Sequence, residues 1–357
     1  MSSTNDGDNP LLRAHGLSKY FPLESGILAS LRGAQAAVKA VESVSLDVYA
    51  GQTLAIVGES GSGKSTLGRL LLRLMQPSAG HVQYKGENIF AMNRTRLRAF
   101  RRQAQIILQD PYASLNPRMR VGRIIREPLD IYREGSLAER ERRVQELLER
   151  VGLTSAQARS YPAELSGGQR QRVCIAAALA LSPEIIIADE PTSSLDVSVQ
   201  AQTLNLLSEL QRDFNLTYVF ITHDLGVVQH FSDRVAVMYL GKIVEEAPTA
   251  TLFAAPQHPY TQVLFSAIPL PDPSRRINWE LPTGEPPSPL DPPSGCHFHP
   301  RCPKVMADCS ATVPKLQTTA PDRRVACLLY EDRKHSPPSA PSKVRTPSSN
   351  MDGGETS

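Results

Sequence analysis

Long apolar runs are what this chain of 357 residues conspicuously lacks. Its most hydrophobic stretch, around Val173 to Ala188, is broken by Ser182, Pro183 and Glu184, and falls short of the roughly 18 to 20 uninterrupted apolar residues that span a bilayer. The chain is therefore not expected to cross a membrane by itself. Charge of one sign is also missing: the formal net charge is +3 and the basic residues are dispersed, which argues against a general nucleic-acid binder. The first ten residues are polar and acidic, without the basic and apolar regions of a secretory leader, so a cytoplasmic location is expected. Cysteine is scarce, five residues in all, and in that compartment structural disulfides are not expected.

The length fits one large domain with an appendage. The body is read as 11–250. Within it the β-rich runs Thr53–Val57, Glu184–Ala188, Thr217–Ile221 and Val235–Tyr239 alternate with helical segments, the pattern of buried parallel strands. Leu67, Leu70, Leu71 and Leu74 recur at helical spacing, as do Val144, Leu147, Leu148 and Val151 within a charged segment. Strands largely vanish over about 94–175, so a helical subdomain is expected to interrupt an α/β core. Prolines crowd Pro269 to Pro293, which reads as an extended connector to a small cysteine-bearing module within 251–330. The remainder, 331–357, is rich in Ser, Pro, Lys and Gly and is expected to be disordered.

Chemistry enters at Gly58-Glu59-Ser60-Gly61-Ser62-Gly63-Lys64-Ser65-Thr66. Glycines at 58, 61 and 63 let the backbone wrap tightly with its N–H groups inward, and the following helix points its positive end at the same place. The position after a strand and before a helix is the one a triphosphate cradle requires. Lys64 is assigned to the β and γ phosphates and the Ser65 hydroxyl to Mg²⁺. The run Ile185-Ile-Ile-Ala-Asp189-Glu190 is a buried strand ending in two carboxylates. Asp189 is the further Mg²⁺ ligand, and Glu190, aimed differently, is the group that polarises the attacking water.

About a hundred residues beyond the cradle stands Leu165-Ser166-Gly167-Gly168-Gln169-Arg-Gln-Arg172, which resembles the signature motif of ATP-binding cassette (ABC) ATPases. The order of Gln109, Ser194-Leu195-Asp196 and Thr222-His223 matches that family over roughly Leu11 to Glu246. The resemblance implies a RecA-like mixed sheet with an antiparallel β portion and an inserted helical subdomain. It further implies that Gln109 serves Mg²⁺ and senses the γ phosphate, that His223 orients the nucleophilic water, and that Asp196 belongs to the D-loop. Ser166, Gly167, Gly168 and Gln169 would act in trans on ATP bound by a partner cassette; glycines opening a helix make an anion site that the chain's own ATP cannot reach. Phe21, with Tyr20 as fallback, is the expected adenine-stacking ring. Ala177, where many relatives carry arginine, is the one departure and touches none of these roles.

Three further segments resemble the oligopeptide and dipeptide importers within that family. One is Gln109-Asp-Pro-Tyr-Ala-Ser-Leu-Asn-Pro-Arg118, like their extended Q-loop and the expected receiver of the permease's coupling helix. The others are Pro256-Gln-His-Pro-Tyr-Thr261 and Gly295-Cys-His-Phe-His-Pro-Arg-Cys-Pro303, like their C-terminal region. This implies an ATPase peripheral to the cytoplasmic face of the membrane, working with a second, different ATPase subunit, two permease subunits and, indirectly, an extracytoplasmic binding protein; a homodimer is the alternative, since the chain's own catalytic and signature motifs are both intact. Peptides are the implied cargo, with nickel, glutathione or another small solute as the alternative. Cys296, Cys302, Cys309 and Cys327 are separated by five, six and seventeen residues, gaps that lack the short spacing of zinc knuckles. Resemblance to the family adds a [4Fe–4S] cluster to zinc and free thiols as the open readings of these four. Cys174 reads as a buried, inert thiol.

Overall fold

The computed structural model describes residues 9–22, 37–266, 285 and 287–331. The readings of 332–357 as disordered and of most of the proline-rich connector lie outside the described residues.

Two sheets and a helical layer form the body. Strands β1 (Leu12–Pro22), β2 (Ala37–Val48), β4 (Ala79–Tyr84) and β5 (Glu87–Asn88) make an antiparallel sheet ordered β2-β1-β4-β5. The larger sheet contains β3 (Thr53–Val57), β6 (Ala104–Ile107), β7 (Ile185–Asp189), β8 (Thr217–Thr222) and β9 (Arg234–Tyr239), all parallel where they pair. Its central strands carry Ile, Val, Phe and Ala on both faces because both faces are covered, so every residue of β3, β7 and β8 is buried. The four strands read from sequence are all present within a residue or two.

Helix α1 (Lys64–Leu71) lies between the sheets. Leu67, Leu70 and Leu71 pack with Ile56, Ile187 and Ile221 of the parallel sheet and with Leu12, Leu17 and Val82 of the antiparallel one. Leu74 lies beyond the end of the helix and is exposed, so the leucine period outlasts the element it announced.

The interrupting region opens with α2 (Arg94–Gln103) and strand β6, which forms the edge of the parallel sheet, before becoming helical. Helices α3 (Pro111–Ser114), α4 (Val121–Tyr132), α5 (Leu137–Arg150) and α6 (Gly167–Leu179) follow. Val144, Leu147, Leu148 and Val151 are buried against α4, α6 and the long helix α7 (Val197–Phe214). Ser136 starts α5 through a reciprocal capping box with Glu139.

Beyond the body the chain does not detach. Strand β10 (Lys242–Pro248) pairs antiparallel with β9, and β12 (Arg323–Val325) and β11 (Gln317–Ala320) extend the same sheet, giving the order β11-β12-β10-β9-β3-β8-β7-β6. Helices α8 (Leu225–Phe231), α9 (Thr249–Ala254) and α10 (Pro259–Ser266) pack on the side of β3 and β9 that carries Ala55, Val57, Val235 and Val237. A third core, with Tyr239, Tyr260 and Phe298 at its centre, joins the C-terminal region to the cassette. Arg324 of β12 and Arg234 of β9 share the buried carboxylate of Glu246. Among the described residues, no helix is long and apolar enough to cross a membrane.

Candidate active site

The loop between β3 and α1 shows why three glycines stand where they do. A Cβ on Gly58 would lie 2.0 Å from the carbonyl oxygen of Met238, and one on Gly63 would lie 1.9 Å from that of Ala40. Both loop ends are therefore pressed against neighbouring backbone. Gly61 has open space around it but a φ of +79°, which only glycine adopts without strain. No side chain caps the start of α1, so its N–H groups remain available to an anion.

Lys64 is buried, and its ammonium donates to the carbonyls of Gly58 at 2.8 Å and Glu59 at 2.9 Å. Burial pushes it below the ordinary lysine value, opposed by the charges of Glu190, Asp189 and Glu59. Ser65 Oγ donates to Asp189 Oδ1 at 2.8 Å, so a hydroxyl and a carboxylate from elements 124 residues apart converge. Burial raises the Asp189 carboxyl above its usual range, against the Ser65 hydrogen bond and the nearby cations. A divalent cation suits this hard oxygen pair, and Ser65 and Asp189 are the residues that would hold Mg²⁺.

One residue further, Glu190 leaves the strand with a φ of +48°, a left-handed conformation costly for a residue with a Cβ. Its N–H is tied to the Ile221 carbonyl at 2.9 Å. Gln109 Nε2 donates to Glu190 Oε2 at 2.8 Å, and His223 Nδ1 lies 3.2 Å from Oε1. Three groups from the ends of β6, β7 and β8 thus meet over the loop. A cavity of about 570 Å³ is lined by Ser60, Gly61, Gly63, Lys64, Ser65, Thr66, Gln109, Glu190 and His223, with Val38, Ala40 and Pro289 completing it. The site can bind a polyphosphate with a divalent cation and present a carboxylate beside the terminal phosphate.

Comparison with known proteins agrees with this chemistry. Residues 41–193 match the ABC transporter family, and residues 244–309 match the oligopeptide/dipeptide transporter C-terminal region. A probable peptide ABC transporter ATP-binding protein of Sinorhizobium fredii is 49% identical over 96% of this chain and 97% of its own length. The oligopeptide transport ATP-binding protein AppF of Bacillus subtilis is 49% identical, over 90% and 97% respectively. The chain belongs to the ATP-binding subunits of the oligopeptide/dipeptide ABC transporters. Among solved structures, a dimeric ATP-binding cassette in a post-hydrolysis state, bound to ADP and Pi, is similar with a TM-score of 0.59. It is 29% identical and covers 67% of this chain and 98% of its own. The protein is an ABC ATPase.

The cassette's signature sits apart from its own nucleotide cavity: none of Ser166, Gly167, Gly168 or Gln169 is among the lining residues. Ser166 caps α6 in a reciprocal pair with Gln169. The two glycines differ. A Cβ on Gly168 would lie 2.5 Å from Val199 Cγ1, whereas one on Gly167 would meet only an ordinary contact at 3.8 Å. Packing accounts for Gly168 and leaves Gly167 without a packing reason. Asp196 caps α7, accepting from the Val199 N–H at 2.9 Å and the Ser198 hydroxyl at 2.7 Å; these hydrogen bonds lower its carboxyl below the usual range.

Phe21 pairs across β1 and β2 with Val38, which lines the cavity, but neither Phe21 nor Tyr20 lines it. The exposed Phe21 ring instead has Lys19 Nζ 5.2 Å above it. In the extended Q-loop, Asp110 Oδ1 caps the short helix α3, leaving Tyr112 outward and largely exposed; Arg170 of α6 stacks 5.1 Å from its ring. The Cys174 thiol is pushed up to about 12 by burial, as an inert core thiol should be.

Burial also raises the Cys296 and Cys302 thiols and pushes Cys327 up to about 12, with added repulsion from the neighbouring cysteines. Cys309 and Cys327 are buried and Cys296 and Cys302 half-buried, and the Cys296 N–H donates to the Cys309 carbonyl at 2.8 Å. Among the described residues, however, no three His, Cys, Asp or Glu side chains are gathered as a metal site.

Sequence reading missed Val38, Ala40 and Pro289 as cavity walls. None carries a functional group that a motif could flag; each enters through backbone approach or through a fold-back invisible along the chain.

Proposed function

We propose that this ATPase drives the import of di- or oligopeptides, its nucleotide-dependent closure being transmitted to two permease subunits at the cytoplasmic face of the membrane. The observation that carries the reading is the Gln109–Glu190–His223 cluster above an intact phosphate-binding loop, within a chain whose relatives are named for peptide transport. Lys64, the loop N–H groups and the start of α1 hold the triphosphate. Ser65, Asp189 and Gln109 would hold Mg²⁺, which would supply neutralisation of phosphate charge. Glu190, steadied from either side, accepts the proton of the attacking water as it adds to the γ phosphorus and the bond from that phosphorus to the β–γ bridging oxygen breaks, releasing ADP, and His223 aligns that water. Ser166, Gly167, Gly168 and Gln169 face a partner's ATP, which their place outside the chain's own cavity supports. The exposed Tyr112 and its neighbours to Arg118 receive the permease.

The partner cassette is read as a second, different subunit, reached by an extracytoplasmic binding protein only through the permease. The decisive experiment traps Glu190→Gln with ATP and weighs the assembly, with and without a second ATP-binding subunit of the same importer family. A complex of two different cassettes supports the reading; an ATP-dependent homodimer indifferent to the second ATPase overturns the heterodimeric part.

A [4Fe–4S] cluster on Cys296, Cys302, Cys309 and Cys327 is a second reading, suggested by the charges of the other three that act on the Cys327 thiol, although among the described residues the four are not gathered as a metal site. No catalytic step depends on it. Anaerobic purification followed by iron and sulfide analysis decides it: four of each per chain supports the cluster, and none of either rejects it.

A further inference from the structure

The segments Pro256–Thr261 and Gly295–Pro303 have no task in the ATP chemistry described above, yet both arrive at the phosphate-binding loop. The Tyr260 hydroxyl accepts the backbone N–H of Glu59 at 2.9 Å. Arg301 Nη1 lies 3.3 and 3.2 Å from the two carboxylate oxygens of Glu59 and 3.5 Å from the Tyr239 hydroxyl. Both side chains are buried, Tyr260 completely.

Each is rigidly mounted. The Tyr260 ring lies 4.5 Å from that of Tyr239 and 5.4 Å from that of Phe298. Its own N–H donates to His258 Nδ1 at 3.0 Å, while the N–H groups of Gln257 and His258 are both held at 2.9 Å by the buried carboxylate of Glu245. Arg301 ends the short turn His299–Arg301, with its N–H on the Phe298 carbonyl at 3.0 Å. Two distant pieces of sequence therefore grip one residue of the loop, one by its backbone and one by its charge.

That charge matters because Glu59 stands in a loop built for a polyanion and is near enough to Lys64 to affect it. An uncompensated carboxylate there repels incoming phosphate and competes for the Lys64 field. We propose that Tyr260 and Arg301 are positioning residues for ATP, Tyr260 fixing the entry of the loop and Arg301 neutralising Glu59, so that the C-terminal region sets nucleotide affinity from within the same chain. The proposal rests on the reading of this loop as the ATP site.

Equilibrium binding of a fluorescent N-methylanthraniloyl ATP to the full-length protein tests it. Arg301→Met is expected to weaken binding about fivefold, the scale of a partly screened charge pair. Adding Glu59→Gln to the same chain removes the carboxylate that needed neutralising and should return the affinity to within about twofold of wild type. Tyr260→Phe preserves the packing and should still weaken binding by about threefold, the worth of a net hydrogen bond; it decides the matter should Arg301→Met fail to fold. Unaltered affinity in both single variants, or an Arg301→Met defect that Glu59→Gln does not relieve, overturns the proposal. Absence of binding by the wild-type protein would instead defeat the ATP reading beneath it.

Discussion

Glu190 shows how much one residue's surroundings settle. A carboxylate after a strand is ordinarily a solvated turn; here it follows a left-handed backbone, and Gln109 and His223 hold its two oxygens. Replacing Glu190 by Gln keeps the hydrogen-bonding shape but removes the proton acceptor. Steady-state hydrolysis should fall about a hundredfold or more, while nucleotide binding, measured by fluorescence titration, is retained. Lys64→Ala should do the reverse, abolishing binding first. The candidate cluster of Gln109, Glu190 and His223 was legible in sequence because each ends a strand or belongs to a fixed-order motif. Tyr260 and Arg301 were not, since their contact with Glu59 spans 201 and 242 residues and neither type at its position announces a loop partner.

At the scale of the element, helix α6 carries two adjacent glycines with different duties. Gly168→Ala drives a methyl group into Val199 and should lower stability by about 1 to 3 kcal/mol, read as a drop in the chemical-denaturation midpoint. Gly167→Ala has room and should leave that midpoint unchanged while weakening ATP-dependent association of the cassettes. Equal destabilisation by both would mean that the motif is only a packing device. The strands of the parallel sheet were readable because doubly buried strands are continuous apolar runs. Strand β6 was not: four residues, Ala104–Ile107, between a basic helix and the Q-loop offer too little pattern. Strands β11 and β12 were hidden for another reason, since they are short, polar in part, and defined by pairing, β12 with β10 and β11 with β12, rather than by their own composition.

Across the whole molecule, the C-terminal region is part of the cassette's sheet and core rather than an appendage on a tether. His258 makes this measurable. Burial depresses its pKa from 6.5 to about 3, beside the Glu245 carboxylate that accepts its N–H. Below pH 6.5 the unfolded chain takes up a proton that the folded chain refuses, so the contribution to stability is constant above that pH and declines as pH falls toward about 3. The wild type should therefore lose melting temperature more steeply over that interval than His258→Asn, whose side chain can still accept the Tyr260 N–H; identical slopes would place His258 in a solvated environment.

The central claim, that ATP hydrolysis by this chain powers peptide entry, is tested most directly by uptake of a labelled tripeptide in cells whose only copy is wild type or Glu190→Gln. Uptake in the first and its loss in the second, with the variant present at the membrane in equal amount, is the predicted result. Equal peptide uptake in both would contradict the account.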